Sequence, residues 1–307
     1  MDSTSSNQVL HDFSPVFRIY KDGRIERFNL SPFVPASEDP SSTAGGGGVR
    51  SKDVVVSPEN NVSVRLFLPQ SVDKDLKLPV LIYIHGGAFA VGSAFSSAYH
   101  GYVSSLVEES NILAVSIEYR LAPENPIPAC FEDCLQVLNW VASDPPEPWI
   151  NEHADLSKVF VAGDSAGATL THYTVARASV ELEEKVKIAG MILVHPFFGC
   201  GNQVDGLWET LCADETGPDD PRLNPMADSD ALTKLRCGGV LVCTAEKDFL
   251  RNRGVMYVEG LKKSGWGGEI ETVETEGEGH VFHLWNPNCE KAKLFMNRVV
   301  SFIKSKL

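Results

Sequence analysis

The chain has 307 residues, 43% of them apolar and 22% charged, a composition suited to one large globular domain or two small ones. Against 27 basic side chains stand 41 acidic ones, a net charge of −14; an acidic surface without a basic cluster repels phosphate backbones, which argues against nucleic-acid binding. Apolar runs such as Val80-Leu81-Ile82-Tyr83-Ile84 reach about five or six residues where a membrane helix needs roughly twenty, so no membrane span is expected.

In chain order, the first residues lack both the basic start and the apolar core of a secretory signal. A hairpin pattern follows at 16–20 and 24–28 around Asp22-Gly23, then a Pro/Ser stretch and the run Gly45-Gly46-Gly47-Gly48. With no lysine behind it, the glycine run is a linker and not a phosphate loop. Residues 1–52 therefore read as an N-terminal lid segment with its linker, and 53–307 as one domain. From there β-rich runs at 62–68, 80–84, 113–117, 159–162, 191–194, 240–244 and 269–275 alternate with helical patterns at 98–110, 129–143, 166–182, 251–263 and 289–304. Several runs are apolar at every position, as in strands covered on both faces. The alternation predicts an α/β fold with a mostly parallel central sheet and helices on both faces. The first run alternates in polarity and predicts an antiparallel edge hairpin with the second. Residues 199–236, rich in Gly, Asp and Pro with Trp208 and Leu211 as apolar anchors, predict a small cap over the sheet edge. The seven cysteines (Cys130, Cys134, Cys200, Cys212, Cys237, Cys243 and Cys289) fit no zinc spacing and read as reduced thiols in a reducing compartment.

Gly163-Asp164-Ser165-Ala166-Gly167 joins a predicted strand to a predicted helix. That context suits a strained turn presenting Ser165 as a nucleophile, with small residues where a β-carbon would strike a neighbour. His85-Gly86-Gly87-Ala88-Phe89 follows another strand; the amides of Gly86 and Gly87, with that of Ala166, form the predicted oxyanion hole. A serine nucleophile needs a base and the base an orienting carboxylate. Asp248 follows the 240–244 run and His280 follows the 269–275 run; Glu246 and His283 are their competitors. Glu246 lies too near its strand end, and the glycines before His280 let that loop reach inward. The order Ser165, Asp248, His280 is that of an α/β hydrolase. Residues 118–124 read as a loop tied down by Arg–carboxylate pairs, Asp164 as a backbone hydrogen-bonder, and His85 as a brace. His195 reads as an ordinary surface or core histidine.

These motifs, with 119–124, 128–140, Asp220-Pro221-Arg222-Leu223-Asn224-Pro225 and 279–282, resemble those of the plant carboxylesterases in the hormone-sensitive-lipase-like group of the α/β-hydrolase superfamily. The resemblance reaches residues 17–28, which look like the group's pocket-capping N-terminal element. It implies a serine carboxylesterase acting on small-molecule esters without metal or organic cofactor. Gibberellin receptors look similar but lack the triad histidine, kept here as His280; 2-hydroxyisoflavanone dehydratases carry threonine where this chain has Ser165. Two rival readings share the fold: a lyase or cyclase of specialised metabolism, and a non-hydrolytic hormone receptor. Ala88 stands where the group most often has a third glycine, and the 199–208 segment is short for its cap insertion, which implies a more open site. The group's cytoplasmic location is the expectation, with a peroxisomal alternative because Ser305-Lys306-Leu307 matches the C-terminal address.

Overall fold

The computed structural model describes residues 8–28, 31–39, 48–73, 76–182, 185–199, 201 and 205–307. Three short strands open it: β1 (Val9–Phe13), β2 (Phe17–Tyr20) and β3 (Ile25–Arg27). Then follow β4 (Val49–Ser57), β5 (Val62–Pro69), β6 (Leu78–Ile84), α1 (Ser97–Ser110), β7 (Leu113–Glu118), α2 (Ala129–Val141), α3 (Pro148–His153), β8 (Ala154–Asp164) and α4 (Ala166–Glu181). The remainder is β9 (Ile188–Val194), α5 (Gly206–Leu211), α6 (Ser229–Thr233), β10 (Gly239–Ala245), α7 (Arg251–Ser264), β11 (Glu269–Thr275), α8 (Phe282–Trp285) and α9 (Glu290–Ser305).

Eight strands form one sheet in the order β11-β10-β9-β8-β6-β7-β5-β4. From β6 to β11 neighbours run parallel, while β5 is antiparallel to both β7 and β4. Successive side chains of a strand face opposite sides, and β6 shows it. Val80, Ile82 and Ile84 join the core on the side of α2, α4 and α7, whereas Leu81 and Tyr83 join the one beneath α1 and α9. Burial on both faces explains why these strands are apolar throughout, and the edge strand β11 keeps glutamates at Glu269, Glu271 and Glu274, a guard against edge pairing.

The structure corrects the sequence reading in three places. β5 pairs with β4 and β7, not with β6, so the edge hairpin is β4–β5. β4 begins at Val49, so the division between 52 and 53 falls inside a strand. α3, α5, α6 and α8 carry too few residues to show a period and were not foreseen, and β1 was missed because it has no buried face to pattern. The segment 199–236 is anchored through Trp208 and Leu211, both buried, as expected. Its Trp208 is fully buried between Phe89 and Phe131, and Cys212 bridges to Ile127. Gly45, Gly46 and Gly47 of the predicted linker, and Cys200, lie outside the described residues.

The strands β1, β2 and β3 form a sheet of their own. Phe17 is fully buried in the main core, with Phe13, Val16, Ile19 and Ile25 packed beside it. Arg27 ties this small sheet to the body. Its guanidinium donates to the Ala90 carbonyl (2.6 Å), to the Ala122 carbonyl (3.3 Å) and to the Glu124 carboxylate (2.6 and 2.9 Å). All six cysteines among the described residues are free thiols, and burial pushes those of Cys237 and Cys243 up to about 12.

Candidate active site

Parallel strands bring their C-terminal ends to one side of the sheet, where open α/β sheets hold their ligands. At the end of β8 the chain turns into α4 through Ser165, whose φ of 54° and ψ of −121° lie outside the usual regions. The turn is this tight because of its flanks: a Cβ on Gly163 would collide with the Gly167 backbone, and one on Gly167 with the carbonyls of Ile84 and His85. Ser165 occupies the N-cap of α4 but makes no capping bond. Its hydroxyl lies 2.9 Å from His280 Nε2 instead.

His280 Nδ1–H donates to Asp248 Oδ2 at 2.9 Å, and Asp248 Oδ1 accepts the Leu250 amide at 2.8 Å. Burial pushes the Asp248 carboxyl up, but the hydrogen bond and charge of His280 outweigh it and hold the group below its ordinary 3.8. Ser165, His280 and Asp248 thus form one hydrogen-bonded chain. The competitors point elsewhere. Glu246 accepts the Gly277 amide. His283 is buried against Tyr102 and Phe295.

The loop after β6 departs from expectation at Gly86. Its amide donates to Tyr99 Oη (2.9 Å) and to Asp164 Oδ1 (3.2 Å), so it is unavailable to a ligand beside Ser165. Among the described residues, the amides of Gly87, Ala88 and Ala166 have no protein acceptor, and all three residues line or adjoin the pocket that holds Ser165. Asp164 is the hub of the turn. It accepts the hydroxyls of Tyr83 and Tyr99 at 2.9 Å each, and burial raises its carboxyl despite those donors. His85 donates from Nδ1 to the Gly86 carbonyl (2.7 Å), lies face to face with Tyr119 (4.2 Å), and is pushed down to about 4 by burial. The tyrosine hydroxyls that brace this turn were not foreseen. A tyrosine in the otherwise aliphatic run 80–84 was the available signal, since a buried hydroxyl needs a partner. The 118–124 loop is tied down as expected, by Arg120 on Asp133 (2.6 Å) and Arg27 on Glu124.

A cavity of about 1550 Å³ opens in front of Ser165. Phe13, Val16 and Phe28 of the N-terminal segment line it, as do Leu207, Phe249 and Trp285. Phe249 and Trp285 are 77% and 61% exposed, and the Phe249 ring sits 5.0 Å from that of His280.

The family described as alpha/beta hydrolase fold matches residues 81–284, and the carboxylesterase family matches residues 35–124. Probable carboxylesterase 13 of Arabidopsis thaliana is 44% identical, with 97% of this chain and 98% of the relative covered. Probable carboxylesterase 5 of the same plant is 42% identical over 97% of this chain and 99% of its own. The tuliposide A-converting enzyme b1 of Tulipa gesneriana is also 42% identical, over 97% of this chain and 80% of its own. Among solved structures, an esterase of the archaeon Pyrobaculum calidifontis superimposes with a TM-score of 0.68 at 28% identity, over 84% of this chain and 85% of that one. An esterase of Pseudomonas putida, at 22% identity and a TM-score of 0.72 over 85% and 84% of the two chains, shares the fold.

Proposed function

The chain belongs to the carboxylesterases of the alpha/beta hydrolase fold, and from that membership we propose that Ser165, His280 and Asp248 are its catalytic triad. The observation that carries the assignment is the unbroken hydrogen-bonded chain from Ser165 Oγ through His280 to Asp248. Ser165 Oγ attacks the ester carbonyl carbon while its proton passes to His280 Nε2. Asp248 holds the ring with Nδ1–H toward itself, which leaves Nε2 as the base and stabilises the imidazolium that forms. The tetrahedral oxyanion takes the amides of Gly87, Ala88 and Ala166 in this reading; Gly86 serves as the post that anchors their loop to Asp164. Collapse of the intermediate breaks the C–O bond to the alcohol, which leaves with the proton returned by His280. Water, deprotonated by His280, then attacks the acyl-serine and releases the acid and the free hydroxyl.

Ser165→Ala should lower kcat on p-nitrophenyl acetate by about 10⁴- to 10⁶-fold with the fold intact, and an organophosphate should label Ser165 and no other residue. Full activity in the alanine variant would end the assignment. The tulip relatives named as tuliposide A-converting enzymes favour a second reading, elimination or cyclisation of a specialised metabolite at the same serine. Reaction in H2¹⁸O separates the two, because hydrolysis places one solvent oxygen in the acid product and elimination or cyclisation places none.

A further inference from the structure

Behind the His280–Asp248 pair lies a third buried ring, His195, just past the end of β9. Its amide donates to the Cys243 carbonyl of β10 at 2.8 Å, which fixes its backbone to the sheet. Its Nδ1 lies 2.8 Å from the amide nitrogen of Val281. An amide N–H can only donate, so Nδ1 is the acceptor and the ring proton resides on Nε2. Val281 is the residue directly after His280, and it is held at φ 45° and ψ 35°. A β-branched residue rarely enters that left-handed region, and stays there only where its surroundings over-determine it. The His195–Val281 bond is such a constraint, applied one residue from the base.

The balance of the surrounding groups keeps the ring neutral. Asp248 Oδ2, the oxygen that receives His280 Nδ1–H, lies 3.7 Å from His195 Nδ1. The rings of His280, His283 and Phe295 pack around His195 at 5.7, 5.9 and 6.4 Å. Burial, reinforced by His280 and opposed by Asp248, lowers the His195 imidazole to about 4, so the ring stays neutral and keeps its acceptor at ordinary pH. His195, Asp248 and His280 are close enough to hold a metal ion. However, the His195 Nδ1 lone pair is filled by Val281, and both His280 nitrogens are engaged, so the cluster is built as a hydrogen-bond relay.

We propose that His195 is a positioning residue for the general base: its Nδ1, acting through the Val281 amide, fixes the turn that aims His280 Nε2 at Ser165. The inference rests on His280 being the base. It accounts for a histidine at a buried position where its Nε2 has no partner among the described residues, a cost that an aliphatic residue would not carry.

The test compares His195→Asn, whose amide oxygen can stand where Nδ1 stands, with His195→Phe, which keeps a ring and removes the acceptor. Both are assayed on p-nitrophenyl acetate, with kcat expressed per active site titrated by an organophosphate, so that a misfolded fraction does not count. The expected result is kcat within about threefold of the parent for His195→Asn, and a fall of about 10- to 100-fold for His195→Phe with KM changed less than about twofold. Parental kcat per site in His195→Phe, or an equal loss in both variants, overturns the proposal. If His195→Phe does not fold, ¹⁵N NMR of the parent decides, since a His195 Nδ1 found protonated at neutral pH overturns the acceptor role. Ser165→Ala and His280→Ala serve as controls. Activity surviving in either of them means that the triad reading has failed, whereas their inactivity beside a fully active His195→Phe condemns only the role of His195.

Discussion

At the scale of single residues, the loop after β6 separates two glycines that look alike in the sequence. Gly87 has a φ of 114°, and a Cβ there would collide with the Val91 carbonyl. Ala88, with φ 54°, holds a conformation that glycine adopts without strain. Gly87→Ala should therefore displace an amide from the proposed oxyanion site and lower kcat by about 10²- to 10³-fold, while Ala88→Gly keeps kcat within about threefold. Steady-state kinetics on one short-chain ester checks both, and an active Gly87→Ala would remove that amide from the site. Glu118 carries a different consequence. Burial raises its carboxyl to about 7, against the lowering effect of its hydrogen bonds from Ser93 (2.9 Å) and the Ala94 amide (2.7 Å). Between the ordinary 4.5 and about 7 the folded protein holds a proton that the unfolded chain has released, so Glu118 lowers stability as pH rises through that window, by on the order of 3 kcal/mol in full. Glu118→Gln keeps an acceptor for both donors and removes the ionisation, so its Tm relative to the parent should rise between pH 5 and pH 8. The same offset at both pH values would show that the carboxyl does not titrate there. The sequence pointed to Ser165, His280 and Asp248, which the fold joins in one hydrogen-bonded chain, because the proposed chemistry needs fixed residue types at strand ends. It hid the amide of Gly86 and the acceptor of His195, because both depend on which partner a folded chain brings within 3 Å.

At the scale of elements, the N-terminal sheet is held to the body by polar contacts as well as by Phe17. Arg27 lies at its end and reaches the Ala90 carbonyl, two residues past Ala88, so the N-terminal sheet and the loop beside Ser165 share one guanidinium. The Arg27 hydrogen bond holds the Glu124 carboxyl below its ordinary 4.5, against a smaller effect of burial. That contribution is present above pH 4.5 and is lost as pH falls below it. An exposed ion pair alone is worth little, but two carbonyls also lose their donor in Arg27→Ala. The variant should raise KM for a naphthyl ester by about three- to tenfold and leave kcat on p-nitrophenyl acetate within twofold, as expected when uniform binding is lost. An unchanged KM for the bulky ester would make the segment a passive cover. The strand pattern at 16–28 was legible because a turn at Asp22-Gly23 separates two apolar runs. β1 was not, because its residues Val9–Phe13 are mostly exposed and carry no buried face to pattern.

At the scale of the whole molecule, the alternation of strands and helices announced the sheet, while the strand order came from contacts distant in sequence. β5 reads as a half-polar strand, and nothing local says that it pairs with β4 and β7 instead of β6. Charge, by contrast, is legible from end to end, and it bears on the substrate. The chain carries −14, and the cationic side chains lining the cavity are already paired: Arg27 with Glu124, Arg120 with Asp133 and Arg253 with Asp205 (2.8 Å). An ester bearing a carboxylate would meet an acidic surface on approach and, among the described residues, no spare cation inside, and would have to shed its hydration in a cavity rimmed by Phe249 and Trp285. A p-nitrophenyl hemisuccinate should then show a KM about tenfold or more above that of the neutral butyrate at low ionic strength. Half-molar NaCl should narrow the ratio without closing it, because salt screens the long-range repulsion and leaves the desolvation in place. Equal KM values at low salt would mean that one of the three arginines leaves its carboxylate to receive the substrate. Arg120→Gln, Arg253→Gln and Arg27→Gln, assayed on the same pair of esters, would identify which.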